Sequence, residues 1–262
     1  MFAENRWREI LDIVKNDKEV IVAELAKHFN VTQETIRRDL KKLSSEGRLR
    51  RTHGGAVAFQ NDNKDAPFSV RESEYIGEKR AIAAAALQYI KEGDRILLDS
   101  SSTVSELAKM LPNIPITIIT NSANALISLS LLDKAKVILT GGLLDPISLS
   151  LEGGAAIEAL ERYNPNKLFF SCKGVDMERG LSEATEEHAY IKKKMMELSR
   201  RKYLLADHSK FGIRSTVFLA ELEAVECLIT DSGINAAIIE DLKNRGLKVE
   251  TASCQKNEMR HG

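Results

Sequence analysis

The chain has 262 residues, with 38 basic and 38 acidic side chains and 43% hydrophobic residues. This length suits two domains more easily than one, and the composition is ordinary for a folded protein. No apolar run approaches the roughly 18 residues of a membrane span, and the charged N-terminus lacks the apolar core of a signal peptide. Three scattered cysteines (Cys172, Cys227 and Cys254) favour neither a disulfide framework nor a metal knuckle. We therefore expect a cytoplasmic protein with no cofactor, metal or membrane partner.

The net charge of zero hides an uneven distribution along the chain. Residues 1–58 carry twelve basic and nine acidic side chains, and residues 59–262 carry 26 and 29. Within residues 37–51, seven basic side chains stand against two acidic ones. Salt screens charges beyond about 8–10 Å, so the acidic remainder does not cancel this basic segment. The segment fits either a phosphate-binding surface or an ordinary solvated helix face.

The first 58 residues show three amphipathic helices followed by a β-hairpin. Thr32 is a suitable N-cap for the third helix, but Thr35 stands where a full capping box has Glu or Gln. Gly47 ends that helix, and two short extended stretches then flank a His-Gly-Gly turn. The apolar stripes of the three helices are Trp7, Ile10, Leu11 and Val14; Val22, Leu25, Ala26 and Phe29; and Ile36, Leu40 and Leu43.

Three compact helices and a basic hairpin predict a winged helix-turn-helix, whose third helix enters the major groove of DNA. A three-helix protein-binding module is the alternative. Arg can pair bidentately with guanine and Gln with adenine, while hairpin cations suit phosphates or the neighbouring minor groove. The predicted DNA-contacting residues are Thr32, Gln33, Thr35, Arg37, Arg38 and Lys41 on the helix, and Arg48, Arg50, Arg51 and His53 on the hairpin.

Two stretches of this region carry a recognisable signature. Residues 31–40 read VTQETIRRDL and residues 47–56 read GRLRRTHGGA. This combination resembles the DeoR family of bacterial transcription regulators, although the family more often has Ser where Thr32 stands. The resemblance implies an operator-binding winged helix that works in a homodimer or a higher homo-oligomer.

The remaining sequence predicts a polar linker over residues 59–76, an effector-binding domain over 77–255 and a tail over 256–262. In the domain, helical and apolar extended segments alternate, which is typical of a mostly parallel sheet covered on both faces. The predicted helices are 78–90, 103–111, 122–131, 183–199 and 235–245, and the predicted strands are 95–99, 114–120, 136–140, 167–171, 202–206 and 226–230.

Polar residues and glycines follow the ends of these strands. Ligands of parallel sheets bind beyond the carboxyl ends of the strands, and hydroxyls at a helix N-terminus favour an anion. Such a set suits a small polyol that carries one phosphate, although each piece alone fits a helix cap, a turn or a solvated lysine. The predicted effector-binding residues are Asp99, Ser100, Ser101, Ser102, Thr103, Thr120, Asn121, Ser122, Gly141, Gly142, Lys173, Gly174, Asp207 and Lys210.

This second region resembles the DeoR-family effector domain over essentially its whole length. The matching segments are 99–103, 120–122, 140–142 and 207–212. The resemblance implies a fold similar to ribose-5-phosphate isomerase and coenzyme A transferases, and control by a phosphorylated sugar. Residues 99–103 and 170–176 look most like those of fucose and rhamnose regulators, which implies a deoxy-ketohexose 1-phosphate such as rhamnulose or fuculose 1-phosphate.

The leading hypothesis is a DNA-binding regulator, with repression of a sugar catabolic operon as the expected action. An isomerase or acyl transferase of the related fold is an alternative, because Lys173, Glu183, Asp207 and Lys210 can move protons. Fold alone does not license that step, so we expect no enzymatic activity. A protein-binding module without DNA contact is the third possibility, and the basic hairpin argues against it.

Overall fold

The computed structural model describes residues 3–17, 19–45, 48–52, 54–58 and 66–253. These residues form two compact units. The N-terminal unit comprises the described residues up to 58 together with 66–71, and the C-terminal unit comprises 72–253. Every helix in the described residues is too short or too polar to cross a membrane.

The N-terminal unit is a winged helix-turn-helix, as the sequence predicts. Its three-stranded antiparallel sheet has the order β1-β3-β2, and β1 was not expected. A Cβ on Gly55 would lie 1.8 Å from the carbonyl oxygen of Val20, so only glycine lets β3 approach β1. The elements are α1 (Ala3–Asp17), β1 (Glu19–Ile21), α2 (Val22–His28), α3 (Gln33–Ser45), β2 (Leu49–Arg51) and β3 (Gly55–Ala58).

A short helix, α4 (Phe68–Ser73), occupies part of the predicted linker. Phe68 and Val70 are buried, so this part of the predicted polar linker includes packed apolar side chains. Pro67 precedes the helix and its carbonyl accepts the first helical hydrogen bonds. Residues 59–65 of the predicted linker and the predicted tail lie outside the described residues.

The C-terminal unit is built on seven parallel strands in the order β15-β14-β12-β9-β4-β5-β6. The mostly parallel α/β fold is therefore confirmed. The elements that follow α4 are α5 (Ile76–Ala86), β4 (Arg95–Leu98), α6 (Ser102–Met110), β5 (Thr117–Thr120), α7 (Ala125–Leu129), β6 (Lys136–Leu139), β7 (Leu143–Asp145), β8 (Ser150–Glu152), α8 (Gly154–Glu161), β9 (Lys167–Phe170), β10 (Gly174–Asp176), β11 (Gly180–Glu183), α9 (Glu186–Leu198), β12 (Arg201–Leu205), β13 (Val217–Ala220), β14 (Cys227–Asp231), α10 (Ala236–Asn244) and β15 (Lys248–Ala252).

The core lies on both faces of this sheet. Ile96 and Leu98 pack into one apolar cluster, while Leu97 between them packs into the other. This alternation follows from the two-residue period of a strand, and burial on both faces explains the continuous apolar runs in the sequence. Two small antiparallel sheets, β7-β8 and β10-β11-β13, lie apart from the seven parallel strands.

The strand order defines one topological switch point. From β4 the chain adds β5 and β6 on one side, then returns to place β9 on the other side of β4. β12, β14 and β15 extend the sheet further in that second direction. In open α/β sheets the crevice beside such a reversal, beyond the carboxyl ends of the strands, is the usual ligand site. Here that position lies between the ends of β4 and β9.

Candidate functional sites

The exposed face of α3 brings the predicted helix residues together. Thr35 N–H donates to Thr32 Oγ1 at 3.2 Å, so Thr32 is the N-cap. Ile36, Leu40 and Leu43 are 0–1% exposed and face the core. The outward residues Thr32, Gln33, Arg37, Arg38 and Lys41 are exposed, and Thr35 is half-buried. The helix therefore presents a polar and cationic surface to solvent.

Asp39 has a structural role that the sequence analysis missed. It is 5% exposed, and Arg6 donates to its two oxygens at 2.6 and 3.2 Å. Trp7 Nε1 donates to the same carboxylate at 2.6 Å. Asp39 thus fastens α1 to α3, and its charge is neutralised by Arg6 instead of opposing the basic face. Only the three-dimensional packing could reveal this pairing, because the partners are about thirty positions apart.

The wing presents part of the predicted hairpin set. Thr52 N–H donates to the carbonyl of Gly55 at 3.0 Å and closes the turn. Arg48 is half-buried and Arg51 is exposed. The Arg50 side chain and His53 lie outside what the structure describes.

In the C-terminal unit, residues 99–103, called here the serine segment, follow β4 at the switch point. Asp99 Oδ1 accepts from the backbone and hydroxyl of Ser101 at 3.0 and 2.6 Å, and Asp99 Oδ2 accepts from Ser171 N–H at 3.0 Å. Ser101 Oγ in turn caps α6 by accepting from Val104 N–H. Asp99 therefore ties the ends of β4 and β9 together, and its oxygens are occupied within the protein.

Other donors of the serine segment have no such partner. Within the described residues, the backbone N–H groups and hydroxyls of Ser100, Ser102 and Thr103 make no hydrogen bond. All three side chains are nevertheless buried, with 2–7% exposure. Free N–H groups at the N-terminus of a helix attract anions, because the helix dipole adds to their partial charge.

Lys192 on α9 completes the switch point and was not predicted. Its Nζ lies 2.6 Å from Glu183 Oε1 and 3.1 Å from Asp99 Oδ2, and it donates to the carbonyl of Ser171 at 2.8 Å. Burial alone would lower the pKa of Lys192, but the carboxylates of Glu183 and Asp99 raise it above its ordinary value. Lys192 therefore stays charged and links β4, β9 and β11.

Thr120, Asn121 and Ser122 are all buried after β5. Thr120 and Ser122 shape the loop, since their hydroxyl oxygens accept from backbone N–H groups at 3.0 and 3.2 Å. Asn121 Nδ2 donates to the carbonyl of Leu151 at 3.2 Å, whereas its Oδ1 is buried without a partner in the described residues.

The glycines of the predicted set differ in what they permit. A Cβ on Gly142 would lie 2.4 Å from the carbonyl oxygen of Glu152, and the φ angle there is +107°. A Cβ on Gly174 would lie 2.3 Å from the carbonyl oxygen of Ile213. Both positions therefore require glycine because a neighbouring backbone carbonyl packs closely against each. Gly141, in contrast, has open space around it.

The ends of β9 and β12 carry the remaining predicted residues. Lys173 and Lys210 are half-buried. Asp207 is completely buried; its Oδ1 accepts from the N–H and hydroxyl of Ser209, and its Oδ2 has no partner in the described residues. Cys172 is a buried thiol, and burial raises its pKa to about 12.

Asp145, Glu152 and His188 form a cluster that the sequence analysis did not predict. One ligand atom from each lies within 4.8 Å of the others, and His188 Nε2 is 2.9 Å from Glu152 Oε1. β7, β8 and α9 supply one residue each. The expectation of no metal rested on the spacing of residues along the sequence, which cannot detect ligands that folding brings together.

A winged helix-turn-helix joined to a parallel α/β unit with a polar switch point defines a DNA-binding protein with a separate sensor unit. The DeoR-like helix-turn-helix domain matches residues 6–62, and the DeoR C terminal sensor domain matches residues 74–232. The chain belongs to the DeoR family.

Named relatives agree with this assignment. The chain is 45% identical to the uncharacterized HTH-type transcriptional regulator YulB of Bacillus subtilis, covering 98% of this chain and 99% of the relative. It is 39% identical to an L-fucose operon activator of Haemophilus influenzae, covering 86% and 90%. It is 34% identical to the HTH-type transcriptional repressor GlcR of Bacillus subtilis, covering 95% and 96%.

Among solved structures, a ribose 5-phosphate isomerase from Methanocaldococcus jannaschii aligns with a TM-score of 0.38. It is 17% identical, and the alignment covers 51% of this chain and 53% of the isomerase.

Proposed function

We propose that the chain binds operator DNA through residues 1–58 and represses a sugar catabolic operon. The observation that carries this proposal is the exposed face of α3, where Gln33, Arg37, Arg38 and Lys41 lie opposite the buried Ile36, Leu40 and Leu43. Arg pairs bidentately with guanine and Gln with adenine, so this face suits the major groove. Cations of the wing, Arg51 among them, suit the phosphates, which give affinity without sequence preference.

We propose further that a phosphorylated sugar bound by residues 77–255 controls operator affinity. The unpaired donors of Ser100, Ser102 and Thr103 suit the phosphate, and the half-buried Lys173 and Lys210 add positive charge at neighbouring strand ends. Relatives include an activator named for an L-fucose operon, which supports a deoxy-ketohexose 1-phosphate such as rhamnulose 1-phosphate.

Control of operator affinity requires that the effector bind one arrangement of the chain more tightly than the other, because a ligand shifts an equilibrium only if it prefers one state. The switch point does not favour the alternative of an isomerase or acyl transferase. Glu183, one of the residues considered for proton transfer, forms a buried ion pair with Lys192.

Selection from a random duplex library, followed by fluorescence anisotropy with the enriched duplex, tests the DNA half. The full chain should prefer the enriched duplex over a scrambled one by about 10³-fold or more at physiological salt. Hexose and pentose phosphates are then titrated into the complex. Release of DNA by one sugar phosphate supports a repressor that its effector induces. Tighter DNA binding in the presence of the sugar phosphate would mean that the effector promotes operator binding instead. Equal affinity for both duplexes would contradict operator recognition.

A further inference from the structure

The two orphaned polar atoms at predicted effector positions share one chemical property. Asn121 Oδ1 and Asp207 Oδ2 are buried, have no partner in the described residues, and are acceptors only. Rotating the Asn121 amide would bring Oδ1 against the carbonyl oxygen of Leu151, which now accepts from Nδ2, so the orientation is fixed. The missing partners of both atoms are therefore hydrogen-bond donors.

A third acceptor lies beside Asn121. Leu151 N–H donates to the carbonyl of Asn121 at 2.8 Å, so Glu152 is the next residue along a strand attached to the β5 loop. Asp145 pairs with Ser150 across the β7–β8 hairpin, and Ser150 and Glu152 are two residues apart, so the three side chains share one face. Asp145 and Glu152 therefore place two carboxylates on that face.

Neighbouring hydroxyls hold these carboxylates in position. Ser148 Oγ donates to Asp145 Oδ2 at 2.5 Å and lies 2.7 Å from Ser150 Oγ, which donates to Glu152 Oε1. His188 contacts Glu152 and lies four residues before Lys192 on α9, so both side chains occupy one helix face. Through Lys192, which contacts Asp99, the acceptor-rich face adjoins the serine segment.

A phosphate ester carries about −1.5 to −2 charges at pH 7, so it accepts hydrogen bonds and is repelled by carboxylates. Sugar hydroxyls donate. On the basis of the proposed sugar-phosphate function, we propose that Asn121 and Glu152 bind the hydroxyl groups of the effector. The donors of the serine segment bind its phosphate. Recognition of the sugar is thereby separated from recognition of the phosphate, and Glu152, oriented by His188, is a specificity-determining residue.

The test compares thermal stabilisation and calorimetric affinity of the full chain with inorganic phosphate and with a panel of hexose and pentose phosphates. Glu152→Gln keeps the shape of the side chain but replaces one charged acceptor oxygen with a donor. It should lower the affinity for the tightest-binding sugar phosphate by about ten- to hundredfold, which is the range for a hydrogen bond to a charged acceptor. The affinity for inorganic phosphate should stay unchanged. Glu161→Gln, at the far end of α8, is the matched control and should change neither.

The outcomes separate the two levels of the proposal. If the unaltered chain binds no sugar phosphate, the proposed function fails. If it binds one and Glu152→Gln weakens that ligand and inorganic phosphate equally, or neither, the function stands and the assignment of the acceptors is wrong. Stabilisation by zinc chloride that His188→Gln abolishes would instead assign Asp145, Glu152 and His188 to a metal and overturn the inference. The unliganded melting temperature of each variant reveals any loss of folding.

Discussion

The two units place their candidate functional residues in opposite environments. On α3 the polar face is exposed and the apolar face supports it, so function and stability use different side chains. At the switch point of the C-terminal unit, the polar residues are themselves buried, and Asp99 and Lys192 are both hydrogen-bonded to the backbone of Ser171. A substitution at the first site can change binding alone, whereas many substitutions at the second change the fold as well.

The largest effect is expected at Lys192. In Lys192→Met, the carboxylates of Asp99 and Glu183 lose their buried cation, and removing one partner of a buried pair costs about 3–5 kcal/mol. Urea unfolding of the full chain should show this loss as a lower midpoint. Lys194→Met on the same helix removes partly exposed pairs with Glu161 and Glu197 and should change the midpoint little. Equal midpoints for the two variants would mean that the buried network does not stabilise the fold.

Arg38→Ala should give the opposite pattern. Arg38 is exposed, so its loss should leave the urea midpoint unchanged while operator affinity falls by about 1–3 kcal/mol, the contribution of a bidentate base contact. Fluorescence anisotropy with the selected duplex measures the change. Arg38→Lys keeps the charge without the bidentate geometry and should recover only part of the affinity. Unchanged affinity in Arg38→Ala would remove this residue from the interface.

The same contrast explains what could be predicted from the sequence. Ile36, Leu40 and Leu43 repeat at helical spacing, so local periodicity alone assigns the opposite residues to the exposed face. Central strands such as β4 and β9 are apolar runs long enough to recognise. Three-residue strands such as β7 and β8 offer no such pattern, and β1 depends on the approach of its backbone to Gly55.

The pairing of side chains that lie far apart in the sequence was the main feature that could not be predicted. Lys192 lies more than ninety positions from Asp99, and His188 lies more than thirty from Glu152. Nothing in the local sequence distinguishes these residues from solvated ones on α9. Their roles follow from the strand order, which brings β4 and β9 together, and from the packing of α9 against β8, β9 and β11. Positions at strand ends could be predicted, but their partners could not.

Asp94, at the amino end of the sheet, is expected to affect the stability of the fold and not operator binding. Burial alone would raise its pKa, but hydrogen bonds from Lys167, the Lys91 backbone and Asn166 lower it below the ordinary value. A lowered folded-state pKa adds stability above the unfolded value of about 3.9, and this is lost as the pH falls through the folded pKa. Urea midpoints measured between about pH 5 and pH 2 should therefore fall less steeply in Asp94→Asn. Operator affinity at pH 7 should not change, and a large loss there would contradict the assignment.

The smallest effect is expected at Arg51 on the wing. Its side chain is exposed and, in the proposed complex, contacts a phosphate. Arg51→Ala should weaken binding to the selected and scrambled duplexes by the same factor, because a phosphate contact carries no sequence information. Each lost contact releases about one counterion fewer, so the slope of log affinity against log salt should become shallower by about one unit. Anisotropy titrations over 50–200 mM salt measure this slope. A loss confined to the selected duplex would instead mean that Arg51 reads a base, and the wing would then share sequence recognition with α3.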